Sequence, residues 1–413
     1  MTHPLSPRRL SISDSLVPLD VSGKNPDSVP IDIGPDLVQR LSLTTQTRAL
    51  LPSDSLPVSD LLELCLPTRS SVMPSIDPQL CFSNHPPTES IAIYLSRPVP
   101  PLTFVEGLRT VAGQAMRDGK LSIMDWTCKN SMSFFSFELI EFWTVLTRAI
   151  EARQVWMAAM KWLKQAAEDH RLDGEICEVR LMLKTIPWSA NIQILRTRLT
   201  VLEMATFLSD HWISSSQIDM ALSSMALRQS NCGDSEVVRC YLIGNTILAE
   251  YLHSSPVLQN TSSHDNLPWQ DYKLRAPREL QCAGEHLVRH QPDGEVLLVT
   301  YSPPGHWAAI SLTSRGTLEW ADSLGRRPPM ELITGACNWL DHHMLASSFR
   351  LGNSFKCSHQ TDSFSCGIIA LNAIKHRIFG DELWDEEDQA RLRIQEFLTI
   401  MHGCQIEGKS VCF

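Results

Sequence analysis

Three short apolar runs stand close together in the C-terminal third of the chain: EVLLVTY (295–301), HWAAISL (306–312) and TLEWADS (317–323). Runs rich in β-branched and aromatic residues, bounded by Pro, Gly and Ser, predict strands. Gaps this short allow only antiparallel neighbours, because a parallel crossover needs a dozen residues or more. Two helices are predicted after them, over PPMELITGACNWLDHHML (328–345) and SCGIIALNAIKHRIF (365–379), with a short strand expected around SFKCSHQ (354–360). Clustered strands with helices before and after them predict an α+β domain.

Upstream, LTVLEMATFLSDHWISSSQIDMALSSMAL (199–227) reads as two helical stretches around a Ser-rich break. Ser214 and Gln217 have capping-box spacing, opening a helix that buries Ile218, Leu222 and Met225. This unit is expected to begin near residue 191, after Pro187 interrupts the preceding helical pattern. Residues 89–190 form a helical region with no chemistry in it. FVEGLRTVAGQAMRDG predicts one helix ended by Gly119, and 135–170 predicts an aromatic-rich helical hairpin. Its core positions are Trp143, Leu146, Ile150, Val155, Trp156, Trp162 and Leu163, with a partner-binding face as the alternative.

Residues 1–88 hold 13 of the 25 prolines and show no sustained period, so a disordered arm is expected there. The apolar island LLELCL (61–66) either docks on a folded part or is only locally sticky.

The net charge of −10, without a Lys/Arg block, argues against gripping a phosphate backbone, so no nucleic-acid partner is expected. The 12 cysteines are scattered, with no CxxC pair and no zinc-finger spacing, so neither a disulfide framework nor a metal or other cofactor is expected. No signal-peptide pattern, membrane span or prenylation box is read. The expected setting is a reducing one, nucleus or cytoplasm, and Arg8-Arg9 is too short to serve as a nuclear signal.

In CSHQTDSFSCGIIALNAI (357–374), Ser365 has the chemistry of an N-cap, which places Cys366 at the first helical position. The positive end of the helix dipole favours a thiolate there, and the apolar helix behind it would hold the sulfur on a rigid support. A packed core cysteine is the competing reading. A nucleophile needs a base and an orienter. His306 opens one strand and Asp322 ends the next. A hairpin centred near Ser314 pairs positions summing to 628, which sets His306 opposite Asp322; a one-residue slip would send them to opposite faces. Gln360, six residues before Cys366, offers an amide to an oxyanion, with the Cys366 N–H as a second donor. Taken singly, His306 and Asp322 have ordinary surface or capping duty as alternatives, and Gln360 a solvated loop position.

Taken together, GHWAAISL, LEWADSLG and QTDSFSCG resemble the catalytic motifs of the ubiquitin-like-protein (sentrin/SUMO-specific) cysteine proteases, over roughly residues 195–405. LSDHWISSSQI is similar to the motif that opens that domain. The resemblance implies a papain-like catalytic domain over 191–413, with Cys366 as nucleophile, His306 as base and acid, Asp322 as orienter and Gln360 in the oxyanion site. It also implies that Trp212 and Trp307, with Gly367, line a narrow channel for a Gly-Gly tail, and that SUMO or a related modifier and its conjugates are the partners. Ser214 and Ser215 stand where the family commonly has Asn-Asp, and Ser365 where it often has Asp, so the identity of the modifier is left open. The alternatives are an inactive modifier-binding or mobile-element-derived module, and acyl transfer by the same triad.

Overall fold

The structure is a computed structural model that describes residues 39–124, 133–231, 240–254, 276–302, 305–343, 345 and 349–406. The helices used below are α1 (Val58–Glu63), α2 (Leu102–Arg117), α3 (Glu138–Ala166), α4 (Asp173–Leu183), α5 (Ser215–Asn231), α6 (Thr246–Ser254), α7 (Arg278–Arg289), α8 (Met330–His342), α9 (Cys366–Phe379) and α10 (Gln389–Gly403). The strands are β1 (Phe82–Ser83), β2 (Ser122–Met124), β3 (Phe134–Phe135), β4 (Asn191–Ile194), β5 (Thr197–Thr200), β6 (Tyr241–Ile243), β7 (Glu295–Ser302), β8 (His306–Thr313), β9 (Thr317–Ala321), β10 (Arg350–Leu351) and β11 (Gln405–Ile406).

The expected strand cluster is the centre of a five-stranded sheet of order β10-β9-β8-β7-β6. The pairs β7/β8 and β8/β9 are antiparallel, and the short outer strands β6 and β10 run parallel to their neighbours. Side chains alternate across the pleat and supply two cores. Val296, Leu298, Ala308, Ile310, Leu312, Leu318 and Trp320 pack under α6, α7 and α8. Leu297, Val299, Trp307, Ala309 and Ala321 face the other way, against α9, α5 and α10. A sheet covered on both sides explains why β7 and β8 read as nearly continuous apolar runs rather than alternating ones. The architecture is α+β, as expected.

The hairpin register differs from the expected one. Ala309 faces Ala321 and Leu312 faces Leu318, so paired positions sum to 630, not 628. The turn centres on Arg315, because Gly316 takes φ +73 and returns its N–H to the Thr313 carbonyl at 3.0 Å. A left-handed residue at that point closes the loop one position later than a symmetric count gives. The displacement is two residues along β9, an even number, so it leaves every side chain on its expected face.

Other expectations are revised. Residues 1–38 of the expected disordered arm lie outside the described residues, but 39–88 carry α1, β1 and short helical turns. The Val58 N–H donates to Ile186 O at 2.9 Å, and Trp188 Nε1 donates to Ser53 O at 2.9 Å. Val58 and Leu61 are fully buried against α3 and α4, so the LLELCL island is docked. The segment 135–170 contains one 29-residue helix, not a self-contained hairpin. The N-terminal half of α3 packs Leu139, Phe142, Trp143, Leu146 and Ile150 against β1–β3 and α2. Its C-terminal half packs Ala152, Trp156, Ala159 and Leu163 into the core that also holds α9 and α10. Val155 is exposed and Trp162 only half-buried, so these two are not core positions. No strand forms over 354–360; that segment is irregular chain. The Gln360 N–H bonds the Ser323 carbonyl at 2.8 Å instead of joining a ladder.

Because Leu61 is buried with no exposed surface, Leu61→Ala is expected to lower the unfolding free energy by about 2–5 kcal/mol. A leucine on an undocked arm would change it by less than about 0.5 kcal/mol. Urea unfolding followed by tryptophan fluorescence separates the two values.

Candidate active site

Cys366 is the first residue of α9, and every residue from Cys366 to Ile374 is buried. With Ile368, Leu371 and Ile374 fixed in the core, the sulfur has little freedom to move. Gly367 sits where a side chain has no room: a Cβ there would lie 2.5 Å from Ile213 Cγ1 and 3.2 Å from Trp307 Cδ1. Ser365 does not cap the helix with its side chain. Its hydroxyl donates to Asp362 Oδ2 at 2.5 Å, and Asp362 Oδ1 accepts the N–H groups of Phe364 and Ser365, each at 2.8 Å. The carboxylate at 362 thus organises the loop ahead of the thiol and engages the Ser365 hydroxyl that would otherwise be available as a cap.

His306 and Asp322 come from adjacent strand ends, His306 at the start of β8 and Asp322 one residue beyond β9. His306 Nε2 lies 3.1 Å from Asp322 Oδ1, with 3% and 1% of the two side chains exposed. Asp322 Oδ1 also accepts the Leu324 N–H at 2.7 Å, which fixes the carboxylate from its other side. Burial disfavours a charged imidazole, but hydrogen bonds and charge interactions with Asp322 and Cys366 outweigh it and raise His306 to about 9. Burial likewise resists ionisation of Asp322, yet His306 and the Leu324 N–H hold its carboxyl below the usual range. An imidazole within 3.1 Å of a carboxylate and interacting with a thiol as well has its orientation set and can accept the thiol's proton.

The structure therefore brings Cys366, His306 and Asp322 together. It sets Gln360 beside them, with Ser323 Oγ donating to Gln360 Oε1 at 2.9 Å and Gln360 Nε2 donating to Asp362 O at 2.8 Å. The same nitrogen makes a longer contact, 3.3 Å, to Asp362 Oδ1, so both of its hydrogens face Asp362 and the longer contact is the weaker one. The two indoles differ from each other. Trp307 is buried, donates from Nε1 to Ile213 O at 3.0 Å and packs edge-on against Tyr301. Trp212 is 45% exposed; its Nε1 donates to Ser363 O, and its ring lies against Gly305. Trp212 thus spans the gap between the loop before His306 and the loop before Cys366, while Cys366 itself is only 1% exposed beneath it.

Two residues of the site have no role in the sequence reading. Asp362 organises the nucleophile loop, and its signal was the Asp-Ser-Phe-Ser run, where Asp and Ser compete for backbone N–H groups. Arg393, on α10, is fully buried beside that loop, and a lone arginine in an amphipathic helix carries no signal of this. Among the described residues no group of acidic, His and Cys side chains could hold a metal ion. Among them no helix is long and apolar enough to cross a membrane.

No protein-family model and no curated protein sequence matches the chain. It is similar to the solved C-terminal Ulp1 protease domain in complex with SMT3, the yeast ortholog of SUMO. That match has 16% identity and TM-score 0.40, over 56% of this chain and 95% of that one. It is also similar to a de-sumoylating protease, at 12% identity and TM-score 0.36, over 52% of this chain and 92% of that one. The Xanthomonas campestris effector XopD, solved bound to ubiquitin, matches at 16% identity and TM-score 0.31, over 46% and 91%.

In Asp322→Asn the His306 titration, read by NMR of its Cε1 proton, is expected to fall from about 9 toward the ordinary 6.5. The stability contribution of His306, whose value is raised on folding, is fully present below about pH 6.5 and is lost as pH rises through about 9. That of Asp322, whose value is lowered, is present above 3.8 and is lost as pH falls through its folded value. The stability gap between wild type and His306→Ala, measured in urea, should therefore narrow between pH 6.5 and 9 and stay constant between pH 5 and 6.

Proposed function

We propose that this chain is a cysteine peptidase or isopeptidase that cleaves after the Gly-Gly terminus of SUMO or a related ubiquitin-like modifier. The observation that carries the reading is the position of His306, which interacts with both Cys366 and Asp322 inside a buried site. The motifs GHWAAISL, LEWADSLG and QTDSFSCG support the substrate class through their resemblance to proteases of such modifiers.

Cys366 Sγ attacks the carbonyl carbon of the terminal glycine, and its proton passes to His306. The oxyanion formed is met by the Cys366 backbone N–H, since the first turn of a helix leaves such groups without intrahelical partners, and by a Gln360 N–H that exchanges its long contact to Asp362 Oδ1 for the oxyanion. The C–N bond breaks as His306 returns the proton to the leaving amine, leaving a thioester on Cys366. Water then attacks the thioester carbon, His306 takes the water's proton, and the C–S bond breaks to give the glycine carboxylate and the thiol. Asp322 keeps the imidazole oriented with a ring nitrogen toward the sulfur throughout. A tail reaching the sulfur passes Trp212 and Ile213 on one side and the Ser363–Ser365 loop on the other. So close a passage admits glycines, which have no side chain, in preference to other residues.

A SUMO vinyl sulfone, and its counterparts for other ubiquitin-like modifiers, is expected to form an adduct at Cys366 that Cys366→Ser abolishes. Cleavage of a modifier–aminocoumarin amide should fall by at least about 10³-fold in Cys366→Ser and His306→Ala. No adduct from folded wild-type protein with any modifier would overturn the peptidase reading. Modifier binding retained by Cys366→Ser, with no cleavage by wild type, would identify a binding module instead.

A further inference from the structure

Arg393 is a fully buried cation, and its partners straddle the site. From α10 its Nη1 donates to Thr206 O at 3.4 Å and its Nη2 to His211 O at 3.0 Å, the carbonyl immediately before Trp212. The same Nη2 donates to Phe364 O at 3.3 Å, two residues before Cys366, and the guanidinium carbon lies 5.4 Å from the centroid of the Phe364 ring. Burial pushes its value down to about 10 against the opposing charges of Asp210, Asp362 and Cys366, so it remains a cation near neutral pH. Burying a cation costs free energy that uncharged carbonyls repay only in part, so packing alone does not account for an arginine here. A fork of donors reaching several carbonyls at once is what arginine supplies and lysine does not.

We propose that Arg393 is a positioning residue whose guanidinium sets the separation of the loop that ends at Trp212 from the loop that leads into Cys366, and with it the aperture through which a Gly-Gly tail reaches the sulfur. Its role in turnover rests on the peptidase reading above. The two loops are pinned at two levels. Trp212 Nε1 closes on Ser363 O at the exposed side, and Arg393 ties His211 to Phe364 from within the core. With the inner pin weakened the loops part: the sulfur becomes easier to reach for a small reagent, while an extended tail is held less well against it.

Arg393→Lys keeps the charge and loses the fork. In the full chain it is expected to slow kcat for a SUMO–aminocoumarin amide by at least about tenfold, with KM changed less than about threefold. Alkylation of Cys366 by iodoacetamide, read on the Cys366 peptide by mass spectrometry because Cys65, Cys177 and Cys282 are exposed and react as well, should become at least about threefold faster. The thermal midpoint should stay within about 4 °C of wild type. Opposed shifts in the two rates are the signature, since general destabilisation would lower both with the folded fraction. Unchanged alkylation, or rates that fall together, overturns the proposal. Where Arg393→Lys does not fold, Arg393→Gln, which also loses the fork that reaches three carbonyls, carries the same test with the same signs. If wild type cleaves nothing, the peptidase reading fails on its own, and the alkylation arm alone decides whether Arg393 sets the aperture.

Discussion

The burial of α9 along its first nine residues is the constraint from which the site follows. A helix packed this completely against β8 cannot rotate or slide without exposing Ile368, Leu371 or Ile374. Exposing one such side chain costs about 1.5–3 kcal/mol, a large share of the stability of an ordinary domain. The position of Cys366 is thus set by apolar contacts that take no part in chemistry. The same strand carries Trp307, whose indole holds Ile213 against Gly367, and opens with His306. One strand and one helix therefore place the thiol, its base and one wall of the approach, and Asp322 needs only the next strand to reach the imidazole.

The meeting of His306 with Asp322 was legible because its signals are of kinds that tolerate error. His306 and Asp322 meet although the expected register was displaced by two residues, since an even displacement keeps every side chain on its face and both residues sit at strand ends. The capping pair behaved the same way: Ser214 N–H donates to the Gln217 amide at 2.6 Å, and Gln217 N–H returns to Ser214 Oγ at 3.4 Å. That exchange depends only on residues three apart in sequence. What stayed hidden depends on partners far away along the chain. Proline-rich composition suggested disorder over residues 39–88, but prolines at 52 and 57 flank a segment whose backbone pairs with residues 186–188. The segment 354–360 had strand composition, yet the sheet edge beside β9 is taken by β10. Ser365 had the chemistry of a cap, but its backbone is already in the helical region and its hydroxyl donates to Asp362 Oδ2, so it does not accept the N–H groups of the first turn.

Residues 89–190, where the sequence shows no motif that carries chemistry, bear on the site through geometry. A helix of 29 residues spans about 44 Å, long enough for α3 to serve two cores at once. Its polar and apolar faces do not resolve into one stripe because different halves meet different partners. Near its C-terminal end Trp162 leaves the core pattern and donates from Nε1 to Asp210 Oδ1 at 2.7 Å. Asp210 lies two residues before Trp212, in the same loop that Arg393 grips at Thr206 and His211. The outer wall of the site is thus held in part by α3, from upstream, and by α10, from near the end of the described residues. Neither of these two contacts is made by an element that bears Cys366, His306 or Asp322. The Cys366 side is rigid through its own burial, whereas the Trp212 side is a surface loop held by hydrogen bonds with Trp162, Trp307, Arg393 and Ser363. Opening over Cys366 is therefore easier on the Trp212 side, because displacing α9 would uncover the nine buried residues of its first turns, whereas displacing the loop would uncover chiefly Ile213.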